Sequence, residues 1–203
     1  MSKTFSLLSF LGAVTPLSII ASQAASTETM NNLQTALRGE TNAHTRYQAF
    51  AAKADEEGYA GVASLFRAAA RSEQIHAANH SAAIKAFGGV PDPKPESPEV
   101  KSTRDNLGVA IKGETYERDE MYPAFIRQAE SEANSQALQT LRFARAAEVE
   151  HAKLYRRALE SLAGTKSAQV FYVCPACGFT ASNPDSQRCP TCATPKEKFD
   201  QVS

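Results

Sequence analysis

From Thr27 to Phe87 apolar residues recur three and four positions apart: Met30, Leu33, Leu37, Ala43, Tyr47, Phe50 and Ala54, then Val62, Leu65, Phe66, Ala69, Ile75, Ala83 and Phe87. That spacing lines one face of an α-helix, and the break at Glu57-Gly58 divides the run into two helices of a hairpin. Gly88-Gly89 ends the second helix. The stretch VPDPKPESPE then places four prolines within eight residues. Proline fixes φ and removes a backbone donor, so this stretch predicts a stiff, extended connection. A second helical pair follows, from about Thr103 to Ser131 and from about Ser135 to Leu162, closed by Gly164. Pro123 falls inside the third helix, where a missing N–H predicts a kink or bulge. Four long helices joined by a long middle connection predict an all-α four-helix bundle over residues 27–165, with a crossover along its length.

Four carboxylates and two imidazoles interrupt this apolar pattern. Glu40 falls where the stripe through Leu33, Leu37 and Tyr47 expects an apolar residue, and Glu114 continues Leu107 and Ile111. Glu73 and His76 continue Phe66 and Ala69, while Glu148 and His151 continue Leu141. A Glu and a His three residues apart on a helix point to nearly the same side and can share one ion. The two halves also repeat each other at offsets of 74 or 75 residues: Gly39-Glu40-Thr41 as Gly113-Glu114-Thr115, Tyr47 as Tyr122, and Glu73-x-x-His76 as Glu148-x-x-His151. This is the signature of a duplicated helical hairpin.

Unpaired carboxylates facing a core cost several kcal/mol each or neutralise themselves. Cations remove that cost, and hard carboxylate oxygens with one imidazole per ion favour two iron or manganese ions. One Glu from each of two helices and Glu-x-x-His from each of the other two is the pattern of ferritin-like di-metal carboxylate bundles. Glu117, three residues after Glu114, adds a carboxylate beyond that minimal set. The alternative for Glu117 is a solvated acidic face, which is the preferred reading for its neighbours Asp119 and Glu120. His44 and His80 each lie one turn beyond a predicted ligand, so each either reaches the site or caps its end.

All four cysteines lie in the last 30 residues, as Cys174-Pro-Ala-Cys177 and Cys189-Pro-Thr-Cys192 with 11 residues between the pairs. Two such knuckles on a short loop predict one tetrahedral four-thiolate site for a single Fe or for Zn. A tail spanning residues 168–203 is too small to fold on its own core, so metal binding supplies much of its stability. Iron there would deliver electrons to the bundle, whereas zinc would only hold the tail together.

The remaining composition narrows the partners. Lys plus Arg equals Asp plus Glu at 22 each in 203 residues, so no net field draws the chain to nucleic acid or to an anionic membrane. Residues 1–25 carry Lys3, an apolar run from Phe5 to Ala21 and the small residues before Ala24. They predict a secretory signal peptide, and hence a mature form with no membrane segment in the periplasm. A retained leader on a cytoplasmic protein is the alternative.

GETNAHTRY (39–47), EQIHA (73–77), GETYERDEMYP (113–123), EVEHA (148–152) and YVCPACGF with CPTC together resemble the rubrerythrin family, a ferritin-like di-iron bundle followed by a rubredoxin-like domain. The resemblance runs from about residue 27 to the end. It implies that Glu40, Glu73, His76, Glu114, Glu117, Glu148 and His151 bind two Fe ions, and that Cys174, Cys177, Cys189 and Cys192 bind a rubredoxin-type Fe. It also implies that Glu117 and His76 exchange as ligands of one iron on a change of oxidation state. Tyr47 and Tyr122 look like the family's tyrosines whose hydroxyls orient ligand carboxylates, and with Glu117 they are the residues expected to serve catalysis. The implied activity is reduction of hydrogen peroxide to water, with an electron donor protein and a homodimer in which the tail approaches the bundle of a second subunit. A ferroxidase or iron-handling ferritin-like protein with a structural zinc or redox-relay tail is the rival reading.

Overall fold

The computed structural model describes residues 26–203, so the leader predicted at residues 1–25 lies outside the described residues. The first hairpin is α1 (Thr27–Glu56) and α2 (Ala60–Ala86). Ser26 caps α1 by accepting a hydrogen bond from the Thr29 N–H at 3.2 Å, satisfying one of the donors that a helix start leaves open.

The predicted third helix is divided. It runs as α3 (Thr103–Tyr116), a π-helical turn (Glu117–Met121) and α4 (Tyr122–Ser131). Pro123 has no N–H and its ring crowds the carbonyl four residues back, and the turn before it widens so that the Tyr122 N–H reaches the carbonyl of Glu117. The bulge expected at Pro123 is therefore a π-turn, and it begins at Glu117 itself. The fourth helix is α5 (Ser135–Glu160), capped by Asn134 through the Ala137 N–H at 3.0 Å.

The proline-rich connection is fastened along one edge of α1. Gln34 holds both the Val90 carbonyl (2.7 Å) and the Asp92 N–H (3.1 Å), Arg38 pairs with Asp92, and Asn42 accepts from the Glu96 N–H (2.8 Å). Residues 34, 38 and 42 share a helix face, so the strap follows α1 turn by turn.

Two apolar clusters fill the bundle. One contains Tyr47, Phe50, Phe66, Leu107 and Tyr155, and the other contains Leu33, Leu37, Ile84, Tyr122 and Leu141. The polar residues described below lie between them. Among the described residues, no helix is long and apolar enough to cross a membrane.

The tail folds as a three-stranded antiparallel sheet of β1 (Phe171–Val173), β2 (Thr180–Ala181) and β3 (Asp200–Val202) in the order β2-β1-β3. It does not stand apart from the bundle. Phe171 and Val173 are buried in the same cluster as Phe66 and Tyr155, the Gly61 N–H donates to Thr165 O at 2.9 Å, and Arg71 pairs with Asp200 at 2.9 Å. The small tail therefore draws stability from the bundle surface as well as from its thiol cluster. The tail covers the bundle of its own chain, held by a short linker and these contacts.

Candidate metal centre

Side chains from all four helical segments meet midway along the bundle. Glu40 (α1), Glu73 and His76 (α2) and Glu148 (α5) offer one ligand atom each within 4.8 Å of one another, as do Glu73, Glu114 (α3), Glu148 and His151 (α5). Glu73 and Glu148 belong to both groups, as bridging carboxylates between two ions would. His76 Nδ1 lies 2.9 Å from Glu73 and 3.2 Å from Glu148, and His151 Nδ1 lies 2.9 Å from Glu148 and 3.3 Å from Glu73. All six residues are at most 1% exposed.

The donors fit a pair of ions because their inward atoms are unsatisfied. Buried polar atoms normally find partners. Among the described residues the buried side-chain atoms without a partner include Glu40 Oε2, both oxygens of Glu73, His76 Nδ1, Glu114 Oε2 and Glu148 Oε1. Charge tells the same story. Burial, reinforced by neighbouring carboxylates, pushes Glu73 and Glu148 above the usual carboxylate range. Burial opposes the charge of His76 and His151, but the surrounding glutamates outweigh it and raise both imidazoles well above their ordinary value. For Glu40 the hydrogen bonds and charges of His76 and His80 overcome burial and hold it low. Without metal, protons therefore stand in for cations.

This has a measurable consequence for the metal-free protein. A group whose pKa is raised in the fold adds stability below its unfolded value and loses that contribution as pH rises. Glu73, Glu148, His76 and His151 all shift in that direction, from ordinary values of 4.5 and 6.5. Glu40 has the opposite sign, but its contribution is complete above the ordinary carboxylate range and does not offset the loss. Thermal melts of the iron-free protein are expected to fall from about pH 5 to about pH 8, while iron-loaded protein shows a much flatter profile. Equal slopes with and without iron would contradict the assignment of these residues to metal.

Each half of the duplication steadies the other. Tyr47, on α1, donates to Glu114 Oε1 at 2.6 Å, and Tyr122, on α4, donates to Glu40 Oε1. Each tyrosine thus occupies Oε1 of its carboxylate, which also lies 3.7 Å from Nδ1 of the nearer imidazole, His76 for Glu40 and His151 for Glu114, while Oε2 is buried without a partner.

Glu117 is not drawn into either four-residue group. It is half-buried at the start of the π-turn, and its Oε1 sits 3.7 Å from the point a Cβ on Gly39 would occupy. Burial and then Glu40, Glu114, Glu148 and Glu73 raise its carboxyl well above the usual range. It is therefore a carboxyl at the margin of the site whose surroundings favour its protonated form. His44 is also outside both groups, donating from Nδ1 to the Ala70 carbonyl at 2.7 Å. His80 is fully buried and hydrogen-bonded to Tyr122 at 3.2 Å, with its Nε2 3.9 Å from Glu40 Oε1.

The tail supplies contacts that the residue pattern does not reveal. His76 Nε2 donates to the Cys177 carbonyl at 3.2 Å. His151 Nε2 meets Thr180 Oγ1 at 3.1 Å, and because Thr180 donates to the Gly178 carbonyl, it accepts from His151. Both Nε2 hydrogens are committed outward, so Nδ1 is the nitrogen each imidazole presents to the centre. Gly178 (φ +77°) makes this approach possible: a Cβ there would fall 2.3 Å from His76 Nε2 and 2.7 Å from Ser72 Oγ. A backbone carbonyl has no sequence signature, so only the glycine beside the first knuckle could have hinted at the contact.

The four thiols form their own group within 4.8 Å, with 3.4 Å between the Cys174 and Cys192 sulfurs and 3.5 Å between those of Cys177 and Cys189. All are free. The Cys177 thiol, followed by the backbone N–H groups of Ala176 and Cys177, brings Cys174 down to about 4. Burial raises Cys189 to about 11, and Cys177 is also pushed up, chiefly by its bond to Cys174. Only a cation lets all four sulfurs carry charge together, as expected of a metal–thiolate site.

With both sites in place, comparison with known proteins is decisive. The rubrerythrin family model matches residues 31–159. This chain belongs to the rubrerythrin family. It is 38% identical over 179 residues to the nigerythrin of Nitratidesulfovibrio vulgaris, covering 88% of each chain. It is 35% identical to rubrerythrin-2 of Clostridium acetobutylicum, covering 84% of this chain and 95% of that protein. The structure of fully reduced, all-ferrous nigerythrin superposes with a TM-score of 0.80 at 37% identity, over 90% of this chain and 91% of the other. A bacterioferritin of Mycobacterium tuberculosis, at 19% identity and a TM-score of 0.64 over 70% of this chain and 90% of that one, shares the fold. The ferritin-like bundle, the rubredoxin-like knuckle and the suitability of both sites for iron are thus features of this rubrerythrin.

Proposed function

We propose that this rubrerythrin reduces hydrogen peroxide to water at a di-iron centre held by Glu40, Glu73, His76, Glu114, Glu148 and His151, and that electrons reach it one at a time from iron held by Cys174, Cys177, Cys189 and Cys192. The observation that carries this reading is the hydrogen bond from His76 Nε2 to the carbonyl of Cys177. It joins a residue of the thiol site directly to a residue of the bundle site. A zinc knuckle that only stabilised the tail has no need of it.

When bound, the iron pair would supply the two electrons that peroxide cleavage requires. The chain does the rest. Tyr47 and Tyr122 hold Oε1 of Glu114 and Glu40 and fix both carboxylates in orientation, with Oε2 of each left without a protein partner. Tyr47, Phe50, Phe66 and Tyr155 pack into a continuous aromatic wall on one side, with ring centroids 5.2–6.3 Å apart, which keeps bulk water out. The half-buried Glu117, whose carboxyl is raised above its usual range by burial and the neighbouring glutamates, stands at the margin of the site and is suited to pass a proton to a departing oxygen. With two electrons and two protons in all, one peroxide yields two waters.

An external redox partner that reloads the tail, a homodimer, and export after loss of residues 1–25 belong to the same reading. In an oxidising compartment the four thiols would be protected from disulfide formation by their metal.

The test is the visible spectrum of the metal-quantified, anaerobically reduced protein before and after one addition of peroxide. The expected result is about three irons per chain, counted as two in the carboxylate site and one in the thiolate site, with ferric-thiolate colour returning at once with peroxide and slowly with air. A colourless, zinc-containing tail would instead mark an iron-handling or ferroxidase protein.

A further inference from the structure

His80 is a buried imidazole that the mechanism above leaves unused. It lies on α2 one turn beyond His76, is 0% exposed, and is hydrogen-bonded to two groups, Thr140 Oγ1 at 3.0 Å from its Nδ1 and Tyr122 Oη at 3.2 Å from its Nε2, with Glu40 Oε1 farther off at 3.9 Å. Tyr122 is in turn hydrogen-bonded to Glu40 Oε1. The four groups, Thr140, His80, Tyr122 and Glu40, form one buried chain.

The inventory of hydrogens gives this chain a direction. Tyr122 has one hydrogen and two neighbours, and a carboxylate can only accept. The hydrogen therefore lies toward Glu40, and the phenol oxygen must accept from His80 Nε2. A neutral imidazole that carries its hydrogen on Nε2 has a bare Nδ1, which must accept from Thr140. Every hydrogen points toward Glu40.

The other half of the duplication is built differently. At the 75-residue offset that relates His76 to His151, His80 corresponds to Tyr155. Tyr155 packs against Tyr47, with ring centroids 5.5 Å apart, and its hydroxyl has no hydrogen-bond partner. Glu114 is thus held by a tyrosine backed by an aromatic ring, and Glu40 by a tyrosine backed by a hydrogen-bonded imidazole.

We propose that His80 is a positioning residue: with its tautomer set by Thr140, it pins the Tyr122 hydrogen on Glu40 and makes the Glu40/His76 half of the metal pair chemically unequal to the Glu114/His151 half. This rests on the di-iron reading above. The phenol holds Oε1 of Glu40 while Oε2 is buried without a partner, and the imidazole keeps the phenol from turning away. The residue acts through Tyr122 and Glu40, not on peroxide itself.

The test compares full-length, iron-loaded wild type with His80→Leu, His80→Gln and Thr140→Val. Gln can donate from its amide to Tyr122 and accept from Thr140, so it restores the chain. Val matches Thr in shape and removes the hydroxyl that sets the tautomer, at a residue that does not touch Glu40. Mössbauer spectra of the reduced protein are expected to show two unequal ferrous components in wild type. In His80→Leu one component shifts or broadens while the other stays in place, His80→Gln returns to the wild-type pattern, and Thr140→Val is displaced in the same direction as Leu but less. Peroxide kcat should follow the same order, falling roughly 10- to 100-fold in His80→Leu with little change in KM, the usual size for loss of a group that supports a metal ligand.

Spectra that coincide for all four proteins would overturn the proposal. So would His80→Gln as impaired as His80→Leu, because filling of space would then be the whole role. Should His80→Leu fail to fold, an unchanged Thr140→Val spectrum alone overturns it. Absence of peroxide turnover in wild type would count against the function proposed above, while the spectra would still decide the role of His80.

Discussion

Replacement of Glu117 by alanine is expected to lower peroxide turnover on the order of 100-fold or more, while the bundle still binds iron and keeps its helices. Glu117 stands outside both groups of converging ligand atoms, so its loss leaves their six contributing residues intact. What disappears is the carboxyl that burial and four neighbouring glutamates raise above its usual range. The π-turn from Glu117 to Met121 gives that side chain a backbone wide enough to change position, and the bare backbone of Gly39 leaves it room. Family resemblance adds an exchange with His76 as iron ligand, which alanine also abolishes. The measurement is stopped-flow reoxidation of the reduced protein by peroxide, alongside iron content and circular dichroism. Undiminished turnover in Glu117→Ala would remove Glu117 from the mechanism.

Replacement of Gly178 by alanine is expected to slow electron transfer from the thiolate iron to the bundle roughly 10- to 100-fold, the range found when groups supporting metal ligands are lost. Gly178 has φ +77°, a conformation that costs an L-residue about 1–2 kcal/mol. A new Cβ would lie 2.3 Å from His76 Nε2 and 2.7 Å from Ser72 Oγ. These are atoms of packed helix side chains, so the knuckle must lift away. The His76 contact with the Cys177 carbonyl and the Ser72 bond to the Gly178 carbonyl go with it. The four sulfurs still bind iron, so the ferric-thiolate spectrum should persist while its reoxidation by peroxide through the bundle becomes slow. Pre-reduced bundle iron should still react rapidly with the first peroxide. Reoxidation of the thiolate iron at the wild-type rate would show that the route does not cross this contact.

These two substitutions separate what residue order can and cannot convey. The helices were legible because apolar residues kept a helical period for many turns, and Gly58, Gly88-Gly89 and Gly164 marked helix ends. The carboxylates of Glu40, Glu73, Glu114 and Glu148 were conspicuous because they broke that period on the core side, where burial without a cation is costly. The cysteine pairs were legible because a tetrahedral thiolate site needs close pairs on tight turns. Pro123 predicted a disturbance in the third helix, but that the disturbance is a π-turn starting at Glu117 depends on how the widened backbone is satisfied by neighbours. His44 and His80 looked alike on a helical net. Packing distinguishes them, sending His44 to the Ala70 carbonyl and His80 to Tyr122.

The sequence by itself determined the helical bundle with its crossover, the inward carboxylates, the paired imidazoles and the four-thiol knuckle. Each of these is written in side-chain chemistry at fixed spacing along a helix or turn. Only the tertiary structure decided that Tyr47 and Tyr122 cross over to the opposite halves, that Glu117 waits outside the ligand clusters, and that the tail closes over its own chain with its backbone against His76 and His151. Those are contacts between distant segments, several of them through backbone carbonyls, and the residues 101 positions apart at His76 and Cys177 meet only because long-range packing brings them together.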